Sequence, residues 1–257
     1  MSRWEDTVTR TAQEATRFWA DASLTTLNQM MTPRWAWEAW LEIAAGVITE
    51  PGSVFEPGCG IGLLTDLLPP GCTYYGCDVN PLFVEEAARE HPGSDLRFEV
   101  RDLFDVLDSG ETFDWIVVTS LFGMFPEQAT YDMIPRFWAA ARKGVSFTTI
   151  DKRLYASNRR LRFDFTAHDP GDLIRLVGSL AGVEATALRH GRDFPNFRGH
   201  YWQRCLALYA WRQGVEHAGP WEAREKVREE HGDGPEEGRT KVAGPRTYGS
   251  TLGTAIP

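Results

Sequence analysis

The sequence is short of cysteine. Cys59, Cys72, Cys77 and Cys205 are the four present, and no two are spaced as a Cys-x-x-Cys pair. That argues against a metal-binding or redox framework, and we read all four as reduced, small, buried hydrophobes. There is no run of about 18 apolar residues of the length a spanning helix needs. The opening stretch "MSRWEDTVTRTAQEATRFWADAS" has acids and polar residues throughout instead of the unbroken apolar centre of a signal peptide. The expectation is a cytoplasmic protein with no membrane partner. Positive charge is in deficit: 27 Lys and Arg against 36 Asp and Glu leave a net charge of -9. Nucleic-acid phosphate is therefore a poor default partner, although a local basic patch such as Arg159, Arg160 and Arg162 is compatible with the overall charge. No internal repeat is found. Aliphatic residues become sparse beyond Trp211, and residues 213–257, rich in charge, Gly and Pro, read as a polar disordered tail with a short helix at "PWEAREKVREE".

What is present alternates. Residues 2–50 repeat apolar positions at helical spacing in "TRFWADASLTTLNQMM" and "RWAWEAWLEIAAGVI". Pro33 falls in the first turn of the second helix with Thr32 as its cap. Trp35, Trp37 and Trp40 either pack this helix on a sheet or line an apolar pocket. The strands expected next are "SVFEP", "TYYGCDVN", "LRFEVRD", "FDWIVVTS" and "GVSFTTID". The helices between them are "LLTDLL", "PLFVEEAAREH" and "QATYDMIPRFWAAARK", the last interrupted near Pro135; "PGDLIRLVGSLAG" follows. "EATALRHG" and "YWQRCLALYAWR" close the pattern as an antiparallel pair. Strand alternating with helix implies βαβ units, so the fold class is α/β, a doubly wound, mostly parallel sheet with an antiparallel edge hairpin. An N-terminal helical cap over residues 1–31 and a core over residues 32–212 complete the expected layout.

The loop "EPGCGIG" carries the chemistry. Gly58, Gly60 and Gly62 let a ligand approach the backbone closely between a first strand and a first helix. The dinucleotide fingerprint G-x-G-x-x-G is not met, because Leu63 stands where its last glycine falls. Glu56, ahead of the glycines, is unwelcome beside a phosphate but suits a cationic amine. Asp78, ending the second strand about 20 residues on, is placed for a ribose diol. Asp102, ending the third, is placed for an adenine amine. The ligand implied is an adenosine bearing an amino acid.

On "FEPGCGIG", "YYGCDVN", "VRDLFD" and "FDWIVVTSLFGMF" the chain resembles the class I S-adenosylmethionine-dependent methyltransferases, from about Trp35 to Arg212. Its later segment resembles a bacterial and phage branch of them that has no assigned substrate. The resemblance implies a seven-stranded sheet with the last strand inserted antiparallel, and S-adenosyl-L-methionine as cofactor. It implies that Glu56 with the backbone of Gly58, Cys59, Gly60 and Gly62 serves the methionyl end. Asp78 and Val79 would then meet the ribose, Asp102 and Leu103 the adenine, and Thr119 the pocket edge.

A sulfonium is already activated, so alignment and exclusion of water are the main tasks, with a base where the acceptor must lose a proton. The candidates near the site are Ser120, Phe122 and Met124; Asp151, Lys152 and Tyr155; and His190, Asp193, Asn196 and His200. His190 is the first choice as base because its ordinary pKa is near neutrality. His168 helps start a helix near Asp169. Asp151 lacks the further acids of a metal site, so no metal is expected. "TSLFGMF" lacks the amide or acid of DNA amino-methylating enzymes, and a small-molecule acceptor, aromatic or apolar, is preferred. The alternatives are a peptide or protein acceptor, a non-catalytic cofactor-binding module, and an NAD-dependent oxidoreductase, which Glu56 and Leu63 speak against.

Overall fold

A sheet buried on both faces builds the centre of this molecule. The computed structural model describes residue 14 and residues 16–30, 34–155, 166–193 and 204–216. Strands β1 (Ser53–Pro57), β2 (Thr73–Asp78), β3 (Leu96–Val100), β4 (Phe113–Val118) and β5 (Ala141–Asp151) are joined in one sheet by a two-residue β6 (Ala167–His168), β7 (Val183–His190) and β8 (Cys205–Arg212). The order is β3-β2-β1-β4-β5-β8-β7, with β6 beside the end of β5. β8 runs antiparallel to both β5 and β7, and the other pairings are parallel. The expected edge hairpin is therefore present. The sheet has eight strands, one more than expected, because Ile150 and Asp151 continue past the end of β4 and pair with Ala167 and His168.

The helices are α1 (Leu24–Met30), α2 (Arg34–Ala45), α3 (Pro81–Glu90), α4 (Leu103–Asp108), α5 (Glu127–Ala140), α6 (Lys152–Tyr155) and α7 (Pro170–Gly178). On β4, Trp115 and Val117 face the layer of α2, whereas Ile116 and Val118 face that of α4, α5 and α7. On β8 the same alternation puts Ala207, Tyr209 and Trp211 on one side and Leu206, Leu208 and Ala210 on the other. Both faces being covered, these central strands read as nearly unbroken apolar runs. Polar tips on the α2 side find backbone partners: Tyr209 donates to the Ile43 carbonyl at 2.7 Å and Trp211 Nε1 to that of Val47 at 3.1 Å.

Four local expectations are corrected. "LLTDLL" forms a 3₁₀ turn, Leu63–Leu67, preceded by Gly62 in a left-handed conformation with no side-chain cap. The helix through Pro135 is continuous to Ala140, since proline removes one ladder bond while Ile134 and Phe137 stay buried in the core. Ala141–Lys143 belong to β5 and not to that helix. α4, absent from the sequence reading, is capped by Asp102, whose Oδ1 accepts from Phe104 N at 2.9 Å. Thr32 and Pro33, residues 1–13, Arg159, Arg160 and Arg162, and the tail from residue 217 lie outside the described residues. Among the described residues no helix is long and apolar enough to cross a membrane.

Phe55, fully buried on β1, stacks on Phe113 at 4.7 Å and Tyr75 at 5.4 Å between centroids. Its ring is a central contact between three neighbouring strands. Phe55→Ala should lower unfolding stability by about 3–5 kcal/mol, read as a lower urea midpoint at an unchanged slope. A loss under about 1 kcal/mol would mean the layer collapses around the gap.

Candidate functional site

A cleft opens at the carboxyl ends of β1, β2 and β4, where strand order reverses in an open α/β sheet. Its empty space, open mouth included, is about 980 Å³. It is lined by Gly58, Cys59 and Gly60 of the loop, by Glu56 and Thr119, and by Asp78, Val79, Asp102 and Leu103.

The glycine loop is pinned to the second strand. The amides of Gly58 and Cys59 donate to the Cys77 carbonyl at 2.8 and 3.0 Å. Gly60 N donates to Asp78 Oδ2 at 3.0 Å, and Asn80 N to Asp78 Oδ1 at 2.9 Å. All three loop glycines have positive φ. At Gly62 (φ 75°) a Cβ would also stand 2.6 Å from the Phe98 ring, and at Gly58 it would press on Leu121 at 3.0 Å. The loop's bareness is thus a steric requirement of its own fold as well as a way to admit a ligand. Gly62 does not line the cleft; it turns the chain into the 3₁₀ segment.

Glu56 is 2% exposed. Tyr74 donates its hydroxyl to Oε2 at 2.7 Å and Thr119 to Oε1 at 2.9 Å. Burial pushes its pKa up to about 8 against the pull of those two bonds, and the Asp78 carboxyl adds to the rise. Burial also raises the pKa of Asp78, opposed by the backbone amides of Asn80, Gly60 and Val79. The cleft is acidic and underneutralised, an environment that favours a cationic ligand. Among the described lining residues the one cationic side chain is Arg101, and it pairs with Glu111 at 2.7 Å.

The rest of the wall is apolar. Leu27 of α1, Trp37 and Leu41 of α2, and Trp19 come from the N-terminal region, and Met124 and Phe125 follow β4. Of the three helix tryptophans, Trp37 reaches the cleft, Trp40 is packed in the core and Trp35 is exposed. Ser120, also lining, has φ 54°, a strained value for a residue with a side chain; its amide donates to Thr148 Oγ1 at 2.7 Å.

Several candidates are not brought to the cleft. His190 ends β7, three strands from β4, with Nδ1 at 3.6 Å from Asp151 Oδ2, and is not a lining residue. Asp151 is held by Arg153 at 2.8 Å, and Lys152 pairs with Glu127 at 3.0 Å. Asp193 accepts the amide of His190. Phe122 is core, stacked on Phe147. His168 is buried against Thr149 Oγ1 at 2.7 Å, and burial lowers its pKa to about 4; the helix start beside it is capped by Asp169. Asn196, His200 and the Tyr155 side chain lie outside the described residues. No cluster of three or more His, Cys, Asp or Glu side chains able to hold a metal occurs among the described residues.

The sequence reading missed Tyr74, Arg101, Phe125 and Asn80. Asn80 before Pro81 is a readable helix start, but its further partners are not encoded locally.

Residues 54–144 match the family model described as a methyltransferase domain. Solved structures share the fold. Magnesium protoporphyrin IX methyltransferase from Synechocystis PCC 6803, with bound SAM, is 18% identical with a TM-score of 0.53, covering 81% of this chain and 94% of that one. N-methyltransferase NodS from Bradyrhizobium japonicum WM9, with S-adenosyl-L-homocysteine, is 16% identical with a TM-score of 0.56, covering 79% and 98%. Plantazolicin methyltransferase BpumL, with a triazolic desmethylPZN analogue and SAH, is 11% identical with a TM-score of 0.57, covering 80% and 98%. No curated protein sequence gives a significant match.

Because the folded pKa of Glu56 exceeds its ordinary value, the native state holds more protons than the unfolded chain between pH 4.5 and about 8. The Glu56 contribution is therefore fully present below pH 4.5 and is lost as pH rises through about 8, at up to about 1.4 kcal/mol per pH unit. Glu56→Gln should flatten that part of the ligand-free stability–pH curve. Parallel curves for the two proteins would show that Glu56 does not titrate in this window.

Proposed function

We propose that this chain, which carries a methyltransferase domain over residues 54–144 and has the Rossmann-like fold of S-adenosylmethionine-dependent methyltransferases, binds S-adenosyl-L-methionine in the cleft and transfers its methyl group to a small apolar molecule. The carrying observation is the Asp78 carboxylate that ties Gly60 to the end of β2 beside a buried, uncharged-leaning Glu56. A sulfonium with an ammonium group brings the positive charge this cleft lacks. A dinucleotide would bring a diphosphate, and the sole lining cation among the described residues is already paired with Glu111.

In this reading Glu56 receives the amino end of the cofactor and loses its proton as the ammonium arrives. The loop of Gly58, Cys59 and Gly60 gives its backbone to the methionyl chain, with Gly62 setting the turn. Asp78 accepts from the ribose hydroxyls beside Val79, Asp102 and Leu103 border the adenine, and Thr119 closes the floor. The reaction is an in-line displacement at the methyl carbon: the acceptor's lone pair forms the new bond, and the electrons of the broken S–C bond stay on sulfur. The protein's part is to align the two and exclude water.

Trp19, Trp37, Met124 and Phe125 support an apolar or aromatic acceptor. The net charge of -9 speaks against nucleic acid. The similar structures named above include a magnesium protoporphyrin IX methyltransferase and a plantazolicin methyltransferase, so the shared fold does not by itself fix the acceptor. His190 lies outside the cleft lining, and an acceptor that carries no proton on the attacking atom needs no base.

Calorimetric titration should detect S-adenosylhomocysteine binding and no NAD binding. Asp78→Ala should weaken the former by about 1–3 kcal/mol; an unchanged affinity would remove Asp78 from the ribose site. A labelled-methyl screen over apolar metabolites should find an acceptor, and transfer to peptides alone would overturn the small-molecule assignment.

A further inference from the structure

One side chain joins the segment over the cleft to the body of the domain. Residues 16–20 are helical and the helix stops at Asp21, leaving terminal carbonyls in need of donors. Asn80 Nδ2 donates to the Trp19 carbonyl at 2.7 Å, which also accepts from Ala22 N at 3.2 Å, and to the Ala22 carbonyl at 2.8 Å. The Oδ1 of the same amide caps α3, accepting from Leu82 N at 2.9 Å and Phe83 N at 3.4 Å. Two N–H donors on the oxygen and two carbonyls on the nitrogen leave one orientation for the amide. The backbone N–H of Asn80 meets Asp78 Oδ1. Asn80 is completely buried.

The segment it holds covers the loop a ligand must reach. Thr16, Trp19 and Leu27 line the cleft, and a Cβ on Gly60 would sit 3.7 Å from Leu27. Ala22 and Leu27 complete its anchorage in a small cluster with Leu41, Leu63 and Phe83. The buried residues of that cluster are distinct from those of the two that flank the sheet, with Trp37 packed against both it and the α2-side cluster.

We propose that Asn80 is a positioning residue: it latches residues 16–27 over the cleft and, through the hydrogen bond its backbone N–H donates to Asp78, couples closure of this segment to retention of the cofactor. The coupling rests on the cleft being the S-adenosylmethionine site; the latch does not. Replacing Asn80 with Asp or Ser keeps an oxygen to cap α3 but removes the NH2 group that donates to the two carbonyls.

The test uses the full chain, wild type against Asn80→Asp and Asn80→Ser. Amide exchange without ligand should speed up at least about tenfold in residues 17–27 of both variants, with α3 unchanged. Dissociation of S-adenosylhomocysteine, followed by tryptophan fluorescence, should quicken about tenfold. Wild-type exchange rates over residues 17–27, or α3 exchanging faster in step with them, would overturn the latch. Faster exchange with wild-type dissociation would overturn the coupling. A wild-type protein that binds no S-adenosylhomocysteine would overturn the cofactor reading and the coupling with it, while the exchange comparison still decides the latch.

Discussion

The carboxylate of Asp78 accepts hydrogen bonds from two backbone amides, Gly60 in the glycine loop and Asn80 at the start of α3. The Cys77 carbonyl holds the start of the loop, at Gly58 and Cys59, to the second strand, and Asp78 extends that hold to Gly60. Because β1 and β2 are paired in register along their whole length, from Ser53 with Thr73 to Pro57 with Cys77, the strand ends arrive level and the carboxylate can span them. The apolar core thus serves the site directly. Phe55, Ile116 and their neighbours hold three strands in alignment, and the alignment sets the width of the cleft.

Electrostatics then select the ligand. Placing Glu56 beneath a buried floor costs it its charge at neutral pH, and Tyr74 and Thr119 recover part of that cost through hydrogen bonds. A site in that condition is poor for anions and gains from a cation, which restores the carboxylate and draws on all three groups together. The thiols of Cys59 and Cys77 add no competing charge, since burial raises both well above the ordinary thiol value. The apolar walls supply area without direction, and direction comes from the few polar groups at floor and rim.

Much of the architecture was readable from the order of the residues. The nearly unbroken apolar runs of β4 and β8 and the glycine turn after β1 follow from rules that act over a few residues. The misreadings were equally local. "LLTDLL" looks like an α-helix but begins at a left-handed glycine with no cap, and Asp102 looked like a ligand group alone while it also starts α4. His190 was the best base by pKa, yet its strand lies at the sheet edge, because β8 inserts between β5 and β7 and carries it away from β4.

The sequence by itself determined the sheet, the bare turn, and the acids at the ends of β1, β2 and β3, because backbone freedom, side-chain alternation and charge type are properties of short stretches. Only the tertiary structure decided that Glu56 is buried enough to hold its proton, that Trp37 and not Trp35 or Trp40 reaches the cleft, and that Asn80 grips Trp19 and Ala22. Burial and pairing between residues about 60 positions apart, as Asn80 and Trp19 are, depend on where the sheet brings distant segments; no pattern along the chain records that distance.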